Sequence, residues 1–216
     1  MKILGLDVSS TSTGFGVIEH INGLTSLVDF GLIRGDSSMT TTQRLYFQGN
    51  ELKKIIEKHA PDEIGIEETV LVRGPKIMRI LSRFSGVAIF QSYSYQKKEL
   101  HFFEPSMWKK MLNIGGNAVK CEIQLEVCTR FNKLNEKQIA AYKEKLIQIE
   151  KQVADYKAEA KTQKINKEEK SKQVKIIEKQ YSQMSTDIFS DSGLNADIAD
   201  SISVAIATAL KLNEKK

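Results

Sequence analysis

The chain has 216 residues, 41% of them hydrophobic, which suits one domain with a real core plus an appendage. No run of eighteen apolar residues occurs, which excludes a membrane-spanning helix, and the apolar N-terminus reads as a strand rather than a signal peptide. The formal net charge is +5, and the segment Lys133 to Met184 accounts for all of it, with thirteen lysines against eight acids. A neutral body with a basic arm points to a polyanionic partner, although charge alone is explained as well by a solvated helical surface.

Residues 2–34 read as three short strands joined by tight turns: Lys2 to Val8, Gly14 to Glu19 and Leu24 to Ile33. A helix follows, with Leu45, Leu52, Ile55 and Ile56 at helical spacing. Glu63 to Glu67 is a fourth strand, and a long helix covers about Lys76 to Gln96. Glu99 to Phe103 gives a fifth strand, Pro105 opens a short helix, and Gly115-Gly116 breaks it. Another helix begins near Val119. It carries Cys121 and Cys128, seven residues apart, which cannot bridge and are expected as packed thiols. Beyond it, Ile139, Tyr142, Leu146, Ile149, Val153, Tyr156 and Ala160 form a heptad seam. Val174, Ile177, Tyr181 and Met184 form a second one. These predict an inserted antiparallel helical hairpin over 133–186, with a break from Asp187 to Gly193. Residues 1–132 and 187–216 would then make the body. Asn195 caps a last helix that buries Ile198, Ile202, Ala205, Ile206 and Ala209.

This order of elements is that of a ribonuclease H-like α/β fold, a mixed five-stranded sheet flanked by helices. In such a sheet the first and fourth strands are central neighbours. Asp7 and Glu67 would then end adjacent strands, while Asp197 and Asp200 stand one turn apart on the last helix. Acids gathered beside an apolar core are costly unless cations neutralise them. A pair of Mg²⁺ ions hydrolysing a phosphodiester is the simplest use of such a set. Taken singly, three of the acids have an ordinary reading: a turn cap for Asp7, a solvated strand end for Glu67, a helix-dipole partner for Asp197; Asp200, one turn later among apolar neighbours, has none so simple. Only the joint pattern favours chemistry.

The segments MKILGLDVSSTSTGFGVIE, IGIEE, EPSMWKKMLNIGGNAVKCEIQ and NADIADSISVAIAT resemble RuvC-type Holliday junction resolvases, phage-type members above all. The resemblance covers roughly residues 1–132 and 193–212 and leaves out the hairpin. It implies a homodimeric, Mg²⁺-dependent endonuclease acting on four-way junctions, with two ions per site and Mn²⁺ able to substitute. It implies a cytoplasmic location in a bacterium or a phage-infected cell. Asp7, Glu67, Asp197 and Asp200 match the family's metal-binding carboxylates. Pro105, Lys109 and Lys120 match its Pro-x-x-x-Lys and later lysine, which approach the cleaved phosphate. Lys120 is the expected contact to the scissile phosphate, and Lys109 shares that surface with Lys110 as its rival. Arg73 and Lys76 follow Glu67 closely and are candidate DNA contacts. Val70 stands where many cellular members carry an aromatic wedge, which leaves room for looser cleavage of forks and flaps.

Two other classes compete. Gly5 to Gly14 also resembles the phosphate loop of sugar kinases and actin, but those proteins need a second such domain. A non-catalytic DNA-binding protein built on the lysine hairpin would leave the four acids unexplained.

Overall fold

The computed structural model describes residues 1–69, 74–162 and 167–213. Its strands are β1 (Lys2–Asp7), β2 (Ser12–Ile21), β3 (Leu24–Arg34), β4 (Glu63–Glu67) and β5 (His101–Phe103), in the order β3-β2-β1-β4-β5. The first three pair antiparallel; β4 joins β1, and β5 joins β4, in parallel. The mixed five-stranded sheet expected from the sequence is present, with β1 and β4 as central neighbours. The helices are α1 (Thr41–His59), α2 (Pro75–Gln96), α3 (Pro105–Met111), α4 (Lys120–Arg130), α5 (Glu136–Thr162), α6 (Lys167–Ser192) and α7 (Ala196–Asn213).

The two faces of the sheet are built differently. On one, Leu4, Leu6, Phe15, Val17, Ile64 and Ile66 pack with Leu52 and Ile56 of α1 and Ala88 of α2. Each fully buried aliphatic side chain there contributes on the order of 1.5–3 kcal/mol. α1 starts at a capping box in which Thr40 and Gln43 satisfy each other's amides. The other face presents glycines, and α7 lies against them. Ile202, Ala205 and Ala209 are buried on α7 as expected.

The chain divides into two compact units, Met1–Ala118 with Asp197–Lys216, and Val119–Ala196. The domain boundary read from the sequence at 132/133 falls inside the second unit, because α4 packs with α6 and α5. Within that unit Cys121 and Cys128 are buried free thiols, and burial pushes Cys121 up to about 11. The Gln124 amide is fully buried and donates to the Leu194 carbonyl at 2.8 Å.

The hairpin is present, with two corrections. α6 continues through Ser192 rather than breaking from Asp187, because Ile188 is buried and extends the seam of Met184 by one turn. Gly193, at φ +74°, ends it. Val174 is exposed and the half-buried position beside it is Gln173, so the seam on α6 runs through 173 rather than 174. At the base, Lys145 pairs with Asp187 at 2.8 Å and the Tyr142 hydroxyl donates to Asp191 at 2.7 Å, which fixes the antiparallel register. Burial, the Asp191 bond and nearby negative charge raise the Tyr142 hydroxyl pKa, so it stays a donor.

Candidate active site

Two apolar strands end in an acid at the same edge of the sheet. Asp7 closes β1 and Glu67 closes β4. Leu6 pairs with Ile66, so the two acids follow side by side. Asp7 sits opposite Gly14 of β2, and paired residues share a face. That face is the one α7 covers. A Cβ on Gly14 would collide with the Asp197 carbonyl, and one on Gly5 with the Ser201 carbonyl; Gly16 and Gly65 are as close to Ile202 and Thr208. With no side chains in the way, the first turns of α7 rest on the sheet backbone. Asp197, whose carbonyl meets Gly14, thereby lies beside the strand end that carries Asp7, and Asp200 follows three residues along α7.

All four carboxylates are half-buried, and Asp200 buries its Oδ1. Two neutral donors hold two of them. The Trp108 indole Nε1 donates to Glu67 Oε2 at 3.0 Å, and the Ser12 hydroxyl donates to Asp197 Oδ2 at 3.3 Å. The Ser/Thr-rich turn between β1 and β2 is closed by Ser9, whose Oγ accepts from the Ser12 amide at 3.1 Å and donates to the Ser12 carbonyl at 2.6 Å. The turn thus presents Ser12 to α7.

The donor set is all oxygen and all anionic, which fits hard divalent cations. Four half-buried negative charges also call for such a counter-charge. Among the described residues, no three His, Cys, Asp or Glu side chains already stand grouped as a metal-holding cluster. The shared edge is a property of backbone placement.

The basic candidates are dispersed. Lys109 on α3 is half-buried; its Nζ donates to the Ala118 carbonyl at 3.0 Å and lies 5.6 Å from the Trp108 ring centroid. Its neighbour Lys110 is exposed. Lys120 is exposed as the first residue of α4 and belongs to the second unit. Lys76 is exposed in the first turn of α2. Arg73 and Val70 lie outside the described residues.

Two functional candidates carry no sequence signal. Trp108 is 1% exposed, as a core aromatic is, and also donates to Glu67. Ser12 is one hydroxyl among several in a turn. No spacing marks either bond, because the partners are 41 and 185 residues away.

Residues 3–144 match the family model described as Crossover junction endodeoxyribonuclease RuvC. Asp197 and Asp200 lie beyond that match. Among named relatives, the crossover junction endodeoxyribonuclease RuvC of Alkaliphilus oremlandii (strain OhILAs) is 31% identical over 132 residues, covering 61% of this chain and 80% of the relative. That of Ruminiclostridium cellulolyticum is 32% identical over 126 residues, covering 57% and 74%. Among solved structures, T. thermophilus RuvC in complex with Holliday junction substrate superposes with a TM-score of 0.66 at 13% identity, covering 100% of this chain and 96% of that one. At that identity the likeness is one of fold. Sheet order, family match and curated relatives agree, and the chain belongs to the RuvC family of crossover junction endodeoxyribonucleases.

Proposed function

We propose that this protein is a structure-selective endonuclease that cleaves four-way DNA junctions, with two Mg²⁺ ions held by Asp7, Glu67, Asp197 and Asp200. Nucleases of this family are metal-dependent. The observation that supports the reading is the α7 contact on a glycine-lined sheet, with the Asp197 carbonyl against Gly14, the partner of Asp7, beside two strands that end in acids.

Bound divalent ions supply an activated water and offset the charge on the leaving oxygen. The chain's own part is to present carboxylates in fixed orientations. Asp7, on the central strand β1, would be one of the residues that hold the ions. Trp108 and Ser12 each donate to one oxygen of Glu67 and Asp197, which restrains how these carboxylates would be presented to the ions. Lys120 contacts the scissile phosphate, while Lys109, Arg73 and Lys76 contact the flanking backbone.

Cutting two opposed strands needs two sites, so the working form is a homodimer. The exposed stripe Ile89, Phe90 and Tyr93 on α2, beside an unobstructed Gly86, supports a helix-to-helix contact between subunits. No helix of the described residues is long and apolar enough to cross a membrane. The DNA substrate argues for the cytoplasm of a bacterial or phage-infected cell. Val70, in place of an aromatic wedge, favours a second reading in which forks and flaps are cut as well.

The test uses a labelled four-way junction, a fork, and a linear duplex of matched sequence, with Mg²⁺, Mn²⁺ or EDTA. Symmetrical metal-dependent nicks in the junction alone support the proposal. Equal cleavage of the fork supports the looser reading. Binding without nicking in any metal makes the protein a non-catalytic binder.

A further inference from the structure

We infer that Trp108 is a positioning residue for Glu67, and that its indole reports directly on metal bound at that carboxylate; the inference rests on the reading of Glu67 as a metal ligand. A half-buried glutamate at a strand end has free rotation about its terminal bonds unless a donor restrains it. Trp108 supplies that donor. It is 1% exposed, and its Nε1–H has Glu67 Oε2 as a partner at 3.0 Å. An indole N–H can only donate, so this bond marks Oε2 as an acceptor and restrains the orientation of the whole carboxylate.

The indole is itself clamped. Pro105 starts α3 at its first turn, and Trp108 follows three residues later, one turn along. The Lys109 ammonium lies 5.6 Å from the ring centroid and is fixed by its bond to the Ala118 carbonyl. A cation on the indole draws electron density and makes the N–H a better donor. Lys109 thus acts on Glu67 through the ring, besides any contact it makes with DNA.

Trp108 is the sole tryptophan of the chain, so its emission is a clean probe. Titrating the wild-type protein with Mg²⁺, without DNA, should shift Trp108 emission at a saturable midpoint, and Glu67→Gln should abolish or strongly displace that midpoint. Trp108→Phe keeps an aromatic ring and removes the donor. It should raise the Mg²⁺ concentration for half-maximal junction cleavage by about 10-fold, while junction affinity in EDTA stays at the wild-type value. A Trp108→Phe protein with the wild-type Mg²⁺ midpoint overturns the positioning role. So does a wild-type emission that ignores Mg²⁺ while Glu67→Gln still impairs metal-dependent cleavage, and this outcome needs no folded variant at 108. If Glu67→Gln leaves the metal midpoint of cleavage unchanged, the metal site itself is wrong and the role of Trp108 falls with it.

Discussion

Position 7 ends an apolar strand in a half-buried carboxylate. It stands beside another strand-end acid and near the first turn of α7, a setting in which a nearby cation would favour its charged form. Asp7→Asn keeps the shape and removes the charge. Metal-dependent nicking should fall by at least about 100-fold, more than the loss typical of an outer-shell residue, with junction binding in EDTA retained; gel assays of both quantities check this. Ser12→Ala should cost nearer 10-fold in nicking, because only one restraint on Asp197 is removed. A variant as active as wild type would assign Ser12 to the turn alone. The acids are legible in the sequence because each interrupts an apolar pattern. The roles of Trp108 and Ser12 are not, since a donor's partner is set by tertiary packing and leaves no local trace.

The contact between α7 and the sheet depends on residues that lack a side chain. Gly14→Ala puts a methyl group into the Asp197 carbonyl. It should destabilise the fold by about 1–3 kcal/mol, as overpacking does, and lower cleavage beyond what the unfolded fraction explains. Denaturant melts and cleavage rates on the same preparation separate the two effects. A second element-level device joins β3 to the end of α1, where Asp29 Oδ2 accepts from Lys58 at 2.8 Å and from His59 at 2.7 Å. Burial opposes ionisation of Asp29, but bonds from Lys58, His59 and its neighbouring amide outweigh it, and its pKa lies below the ordinary 3.8. A depressed carboxylate stabilises the fold above its unfolded pKa and loses that contribution as pH falls through the folded value. Stability should therefore decline below about pH 4, and less so in Asp29→Asn, as thermal melts from pH 2 to 6 would show. Periodicity is enough to find every strand and helix. It fails at the end of α6, where buried Ile188 prolongs the helix past polar residues that read as a break, and at Val174, where two adjacent positions compete for one seam.

The chain combines a ribonuclease H-like unit of net charge +2 with a helical unit of net charge +3, and the surplus in the second is concentrated in the arm between Lys133 and Met184. On α6, Lys172, Lys175 and Lys179 are exposed along one face, and among the described residues none of them forms an ion pair. Replacing 151–179 with a short linker removes nine lysines and leaves the buried base at Ile149, Met184 and Ile188 in place. If the arm lies along DNA, affinity should fall and the slope of log affinity against log salt should become shallower by about 0.9 for each phosphate that the arm had neutralised. An unchanged slope would exclude the arm from DNA binding. Composition exposes the charge asymmetry, but it does not reveal that α4 belongs with the hairpin, because that grouping comes from the packing of α4 against α6. The claim on which the whole account turns is that Asp7, Glu67, Asp197 and Asp200 close around divalent cations. Anomalous diffraction from crystals soaked in Mn²⁺ tests it most directly. The account predicts two peaks bounded by these four side chains; no peak at that edge of the sheet, with Mn²⁺ bound elsewhere or not at all, would contradict it.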